Sequence, residues 1–291
     1  MQIEQLRKPG VWYFTDGVTA PDAGAFAAKV EELGYSALWL PETTGRDPFA
    51  HIAFLATQTS SLVFATGIAS IFNRHAGAMK QASLTLGEQT GDRFVLGLGV
   101  SHQVMVEGVR KLDYSRPLAQ MRAYLSAMDE SRYSAVAPSS PPPRLLAALG
   151  PKMLELAATA ADGAHPYFST PEHTAIARGI LGPDKFLCVE QKVVVSTDAA
   201  AARAAAISVI SGYASLPNYR NNWIRLGYTD DEIEQRSDRF VDAVVAWGDA
   251  AAVRARIEAH YDAGASHVCI QPIPVVGRAV DMGALEALAP G

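Results

Sequence analysis

Titratable side chains directly follow two apolar segments of the sequence. Glu42 comes just after Ala37–Leu40, and His102 comes just after Phe94–Val100. A carboxylate can accept a hydrogen bond or orient a water, whereas an imidazole, with an ordinary pKa of about 6.5, exchanges protons near neutral pH. These two residues predict proton-transfer chemistry. The structural alternatives are a solvated loop acid for Glu42 and a histidine bonded to a neighbouring carbonyl for His102.

A second candidate site is the segment that follows the fifth predicted strand, Leu149-Gly150-Pro151-Lys152. The glycine permits close approach of the backbone, and a proline at the first helical position leaves the free N–H groups of the helix start pointing outward. Lys152 adds a positive charge. These residues predict an anion site, and a well-made helix start without a ligand is the alternative.

Several other histidines and polar residues are less specific. Ser70 and Ile71 fall just past the third predicted strand, and His165 is placed either in a pocket or in the barrel core. Histidines on predicted helices or at the start of the last strand are expected to be structural: His51, His173, His260 and His267. The sequence has no HExxH, no Gly-x-Ser-x-Gly and no His/Asp/Glu spacing typical of a metal site, so zinc hydrolase chemistry is not expected.

The elements that position these residues repeat one order: helix, glycine, apolar strand, polar tip. Continuous apolar runs indicate strands buried on both faces, as in a parallel sheet covered by helices. Eight strands are predicted, at residues 10–14, 37–40, 62–68, 94–100, 144–148, 163–167, 186–195 and 267–270. They predict an α/β fold, a (β/α)₈ TIM barrel whose chemistry lies at the C-terminal strand ends. A doubly wound sheet would require a G-x-G-x-x-G turn, which the first strand lacks.

The domain organisation follows from the same pattern. We expect a single barrel domain over residues 1–291, with a helical insertion at residues 211–247 between strands seven and eight. The insertion is either a lid or a packing arm. The proline-rich residues 137–143 are interpreted as a stiff lead-in to strand five rather than a linker between domains. Cys188 and Cys269 lie in predicted strands without a CxxC partner, which favours buried small hydrophobes.

Composition excludes some classes of partner. The 291 residues carry a net charge of −5, and no Lys/Arg cluster is interleaved with aromatics, so nucleic-acid binding is not expected. No apolar stretch is long enough to span a bilayer, and residues 1–5 lack the layout of a signal peptide. A cytoplasmic location and a small-molecule substrate are therefore expected.

Several segments, in order along nearly the whole chain, carry a family resemblance. They are residues 33–42, 66–68, 93–100, 114–122, 148–153 and 161–163. With these segments the chain resembles the luciferase-like monooxygenase superfamily, and within it the F420-dependent oxidoreductases of actinobacterial type. The resemblance implies a (β/α)₈ barrel with an insertion, usually a homodimer, that holds a flavin or the deazaflavin F420 at its C-terminal mouth.

The resemblance also implies roles for individual residues. A non-proline cis peptide after strand three matches Ser70–Ile71, and the loop after strand five would bind the cofactor phosphate. Glu42 matches an acid near the cofactor ring. The predicted cofactor-binding residues are Glu42, Gly67, Ser70, Ile71, Ser101, His102, Leu149, Gly150, Pro151, Lys152 and His165. The predicted catalytic residues are His102, as proton donor or acceptor, and Glu42, and the candidate cations for an anionic tail are Arg46, Arg74 and Lys152.

One departure from similar proteins limits what the resemblance implies. Several F420-dependent dehydrogenases carry a histidine after the strand-two acid and a glutamate after strand four, where this chain has Thr43 and His102. The substrate therefore cannot be inherited from them. We predict hydride transfer between F420 and a small organic substrate. The alternatives are an FMN-dependent monooxygenase of the same fold and a non-catalytic flavin-binding barrel.

Overall fold

Eight parallel strands close into a barrel in the computed structural model, which describes residues 6–290. Residues 1–5, on which the signal-peptide prediction rests, lie outside that range. The strands are β1 (Gly10–Trp12), β2 (Ala37–Leu40), β3 (Val63–Thr66), β4 (Ala69–Ser70), β5 (Phe94–Gly99), β6 (Arg144–Leu146), β7 (Gly163–Ala164), β8 (Phe186–Val195), β9 (Val245–Gly248) and β10 (His267–Pro272). The barrel runs β1-β2-β3-β5-β6-β7-β8-β10 and closes from β10 to β1, which confirms the predicted TIM barrel.

Helices cover the outside of this barrel. They are α1 (Ala20–Glu32), α2 (Pro48–Ala56), α3 (Ala76–Gln89), α4 (Pro117–Glu130), α5 (Pro151–Ala160), α6 (Pro171–Leu181), α7 (Ala199–Tyr213), α8 (Pro217–Arg225), α9 (Asp230–Gln235), α10 (Asp238–Val244), α11 (Ala250–Asp262) and α12 (Met282–Ala287). A π-helical segment, Val104–Val109, follows β5. Proline in the first turn begins several helices, because its missing N–H has no intrahelical partner at that position.

The apolar strands are buried on both faces. Side chains such as Leu38 and Phe64 pack outward against the helices, whereas Trp39 and Val95 fill the barrel interior. Cys188 and Cys269 also lie inside the barrel, are fully buried and are free thiols, as predicted. Burial on both faces explains why these strands show apolar runs rather than alternation.

The insertion between the seventh and eighth barrel strands is confirmed, and it consists of α8, α9, α10 and β9. Its apolar residues, including Trp223 and Phe240, form a second core with Phe168 and Val194. The short strand β9 was not predicted. It pairs in parallel with the C-terminal half of β8, from Lys192 to Val195, because β7 is too short to reach that half.

The prediction of the cis peptide at Ser70–Ile71 is wrong, because the structure has it at Gly67–Ile68. The ladder gives the reason. Residue 70 pairs with Gly99, and the Ile71 N–H donates to the Gly99 carbonyl at 3.1 Å, so this pair continues an extended strand. The cis bond lies in the break between β3 and β4. The predicted third strand, residues 62–68, is thus two shorter strands, and the first, fourth, fifth and sixth predicted strands also end earlier.

Within residues 6–290 no single helix has both the length and the apolar composition needed to cross a membrane. Helices α7 and α8 meet that criterion only when they are taken together, and they are bent by 116° relative to each other.

Candidate functional site

A cavity of about 920 Å³ opens at the C-terminal end of the barrel. Its floor and sides come from the loops that follow the barrel strands, and one wall comes from α7 and α8. Six aromatic side chains line it: Trp12, Phe14, Tyr114, Tyr167, Tyr213 and Tyr219. A large concave site with apolar walls and a few polar groups is typical of a small-molecule or cofactor site.

Most of the predicted site residues meet in this cavity. Those that line it are Glu42, Gly67, Ser101, His102, Leu149, Gly150, Pro151, Lys152 and His165. Ser70 and Ile71 do not line it, because both side chains are buried behind the wall. The backbone N–H of Ser70 instead donates to Glu42 Oε2 at 2.7 Å.

Glu42 is held by an ion pair with Arg74. The guanidinium donates to both carboxylate oxygens, and it also donates to Asp47 Oδ2 at 2.7 Å. The Glu42 side chain is only 5% exposed. Because both oxygens already accept hydrogen bonds from the protein, the arrangement favours a positioning role for Glu42 over the predicted catalytic one.

His102 stands at the tip of β5, after Ser101, which adopts a left-handed backbone with φ of 56°. Burial lowers the pKa of His102, and a side-chain hydrogen bond with Asn218 opposes that shift. Its Nδ1 atom is buried and has no hydrogen-bond partner among the described residues. The ring lies 5.5 Å from that of Tyr219, between centroids. A neutral imidazole in this position can take up a proton from a bound molecule.

His165 presents a single hydrogen-bond acceptor to the cavity floor. Its Nδ1 lies 2.9 Å from the carbonyl oxygen of Cys188, which can only accept, so the ring proton resides on Nδ1. Burial lowers the pKa of His165 to about 4, so the ring is neutral at pH 7. It stacks on Trp39 with centroids 4.3 Å apart. Nε2 is therefore a buried lone pair, with no partner among the residues described.

Gly67 is needed beside this acceptor. A Cβ placed on Gly67 would lie 2.6 Å from Trp12 Nε1 and 3.3 Å from His165 Nε2. The Trp12 N–H donates to the Gly67 carbonyl at 2.9 Å. A side chain at this position would therefore displace the indole that lines the cavity.

An anion cradle lies in the part of the cavity where α5 begins. We use this name for the N-terminus of α5 with Lys152 and Arg225. Gly150 is the N-cap and provides no side chain to the free N–H groups. Arg225, the last residue of α8, places Nη2 3.6 Å from the Cβ position of Gly150. Two cations and a helix N-terminus together favour a bound phosphate or carboxylate.

Two of the three predicted cations do not line the cavity. The Arg46 guanidinium donates to the carbonyl of Thr15 at 2.6 Å, and Arg74 is engaged by Glu42. Lys152 does line it. Tyr213, at the end of α7, was missed, and so were Arg225, Asn218 and Tyr219, whose place beside the barrel mouth depends on how the insertion docks. Only the length of the insertion pointed to them.

Known proteins share the sequence pattern and the fold of this chain. The family model for luciferase-like monooxygenases matches residues 6–267. A protein of Mycobacterium tuberculosis, whose name provisionally describes it as a coenzyme F420-dependent oxidoreductase, is 26% identical over 84% of this chain and 88% of its own length. A 5,10-methylenetetrahydromethanopterin reductase of Methanolobus tindarius is 25% identical over 52% of each chain.

Solved structures share the fold. An F420-dependent secondary alcohol dehydrogenase in complex with an F420–acetone adduct superposes with a TM-score of 0.77, at 15% identity and over 97% of both chains. The oxygenating constituent of 3,6-diketocamphane monooxygenase from Pseudomonas putida, in complex with FMN, superposes with a TM-score of 0.67, at 16% identity and over 98% of this chain and 97% of that one. At these identities the likeness concerns the fold alone.

Proposed function

The chain belongs to the luciferase-like monooxygenase family, and from that premise we propose that it is an F420-dependent oxidoreductase acting on a small organic substrate. The observation that carries the proposal is the pairing of an aromatic-walled cavity with the anion cradle at one end. A flat ring joined to an anionic tail fits that pairing. The name of the Mycobacterium tuberculosis relative, which aligns with 84% of the chain, supports F420 over FMN.

The residues present suit such a cofactor. Lys152, Arg225 and the N-terminus of α5 would hold its phosphate. His165 Nε2, a buried acceptor without a partner in the described chain, would accept a ring N–H. F420 bound there would supply hydride transfer. The protein would bind and orient the substrate, and His102 would hold or move the accompanying proton, while Glu42 would keep Arg74 and the loop after β4 in place. A cytoplasmic homodimer stays a prediction.

A parallel titration of the purified protein with F420 and FMN tests this proposal. Quenching of tryptophan fluorescence is a suitable signal because Trp12 lines the cavity. We expect F420 to bind at least about tenfold more tightly than FMN, a difference of about 1.4 kcal/mol. Tighter binding of FMN would support the monooxygenase instead. Tight F420 binding without turnover of any donor or acceptor would support a flavin-binding barrel, and binding of neither would overturn both cofactor assignments.

Replacing Arg225 with alanine should weaken F420 binding by roughly 10- to 100-fold, because a charge-assisted hydrogen bond contributes about 1.5–3 kcal/mol. The same titration measures the effect, and the loss should shrink at high salt. Arg220→Ala is the matched control. Arg220 lies on the same helix but pairs with Asp230 and Glu234 and does not line the cavity. Equal affinities of the two variants would remove Arg225 from the cradle.

A further inference from the structure

A chain of hydrogen bonds leads from the cavity wall into the barrel interior. Tyr213 and Tyr167 line the cavity, and their hydroxyl oxygens lie 3.0 Å apart. The Tyr167 oxygen also lies 2.8 Å from Gln271 Oε1, which is 3.0 Å from Lys192 Nζ. Lys192 is fully buried and donates to Glu190 Oε1 at 3.1 Å. The function proposed above uses none of these five side chains.

Lys192 determines the direction in which the protons of this chain point. An ammonium group only donates, so the Gln271 amide must turn its oxygen toward Lys192. The Gln271 oxygen can only accept, so the Tyr167 hydroxyl must donate its single proton to it. The remaining bond, between the two tyrosines, must then be donated by Tyr213. Both tyrosine hydroxyl protons are thus committed inside the protein.

The lysine is held firmly in this position. Its Nζ lies 3.7 Å from the centroid of the Tyr167 ring and 4.1 Å from that of Phe168. The second oxygen of Glu190 accepts the Phe168 N–H at 2.8 Å, so both carboxylate oxygens have partners. Burial lowers the pKa of Lys192 and the neighbouring Glu190 opposes that shift, but the amine has protons for the oxygens of both Gln271 and Glu190 whether or not it carries a charge. The direction of these hydrogen bonds therefore persists at neutral pH.

At the two tyrosines the cavity wall consequently offers acceptors rather than donors. The Tyr213 proton is committed to Tyr167, so a ligand that reaches the Tyr213 oxygen meets lone pairs. Two other polar aromatics of the wall, Trp12 and Tyr114, have their protons committed in the same way. The Trp12 N–H donates to a backbone carbonyl at 2.9 Å, and the Tyr114 hydroxyl donates to the carbonyl of Ser101 at 3.0 Å. A carbonyl oxygen of a ligand, which only accepts, therefore finds no free proton on Tyr213, Trp12 or Tyr114.

We propose that Tyr213 and Tyr167 form a subsite that binds the neutral hydrogen-bond donor of the substrate, a hydroxyl or N–H group carried on an apolar body. Lys192 acts as a positioning residue through Gln271. The apolar body fits the apolar side chains that line the same cavity, which include Phe14, Met105 and Leu118. This inference rests on the proposed function in taking the cavity to be the substrate site.

Three matched probes test the subsite: 1-phenylethanol, its methyl ether and acetophenone. They share an apolar body, and only the alcohol can donate a hydrogen bond. Dissociation constants are measured by calorimetry on the F420-loaded protein and again on the free protein. In both, we expect the alcohol to bind roughly 3- to 10-fold more tightly than the ether, the range of one neutral hydrogen bond. Equal affinities, or no measurable binding of the alcohol, would overturn the proposal.

The variant Tyr167→Phe gives the sharper result. It removes the acceptor of the Tyr213 proton, and that proton becomes available to a ligand in the cavity. The affinity for acetophenone should therefore rise about threefold or more relative to the affinity for the alcohol. If Tyr167→Phe does not fold, Gln271→Met serves instead. It frees the Tyr167 proton and should shift the ketone-to-alcohol ratio in the same direction. Tyr35→Phe is the control, since its hydroxyl donates to the Leu285 carbonyl far from the cavity. An unchanged ketone-to-alcohol ratio in the variants that fold would overturn the assigned proton direction.

The two proposals can fail separately. Absence of F420 binding would remove the proposed cofactor, but the probe ratios on the free protein would still report on the tyrosines. Retained F420 binding together with unselective probe binding would remove the subsite and leave the cofactor assignment in place.

Discussion

Replacing His102 with alanine is expected to lower F420-linked turnover by roughly 10²- to 10⁴-fold, the usual contribution of a positioned acid or base, while F420 affinity changes by no more than about twofold. The reason is the unpartnered Nδ1 of a ring that burial keeps neutral at the cavity wall. Turnover is measured from the absorbance of F420 with the alcohol that binds best, and affinity from fluorescence titration. Normal turnover in His102→Ala would show that this imidazole does not move the proton.

The pH dependence of turnover separates proton transfer from a structural role. Burial lowers the pKa of His102 below its ordinary 6.5, so the neutral form, which accepts a proton from the substrate, is present at pH 7 and is lost as the pH falls through the lowered pKa. Wild-type oxidation of substrate should therefore show an acid limb below pH 6.5. His102→Asn keeps a polar side chain that does not titrate. It should be slow at every pH and lack this limb, whereas rescue by asparagine would indicate a merely structural hydrogen bond.

Gly97→Ala should destabilise the protein by more than about 4 kcal/mol, or prevent it from folding, because the change forces steric overlap in the core. A Cβ on Gly97 would lie 2.0 Å from the backbone carbonyl oxygen of Thr66 on the neighbouring strand. Both strands are buried, and the Thr66 hydroxyl donates to the Gly97 carbonyl at 2.8 Å, so neither backbone can move independently. Denaturant unfolding, or the yield of folded protein where the variant does not accumulate, measures the effect.

A matched glycine provides the control. Gly212 lies within α7, and a Cβ there would meet nothing within 4 Å. Gly212→Ala should therefore leave the fold intact and raise the free energy of unfolding by up to about 1 kcal/mol, since alanine favours a helix more than glycine does. If Gly97→Ala lowered the free energy of unfolding by no more than about 1 kcal/mol, the size of the change expected in the control, the close packing of β3 against β5 would be refuted.

The fold was predictable because strands buried on both faces leave a continuous apolar trace, and because the glycine and polar tip after each strand mark its end. The same pattern correctly placed the two cysteines in buried strands. The tips of different strands meet at one end of a parallel barrel whatever their separation in sequence. This is why Glu42 and His102, as predicted, lie in one cavity, where His165, left open between a pocket and the barrel core, also lies.

Other parts of the site depend on contacts that no local pattern records. Arg74 looked available to a ligand in the sequence, but it is engaged by Glu42, which is 32 residues away. The link between Tyr167 and Gln271 spans 104 residues. Arg225 reaches the cradle only because the insertion folds back onto the barrel mouth. Tertiary packing decides where a long segment docks, and residue type and spacing do not predict that packing.

Helix α8 extends along the cavity from His102 to the anion cradle. Asn218, near its beginning, contacts His102, and Arg225, at its end, reaches the anion cradle. Seven residues of α-helix separate the two by about 10 Å. One helix therefore sets the distance between the anion cradle and His102. A ligand shorter or longer than this distance contacts one end of α8 only by losing contact with the other end.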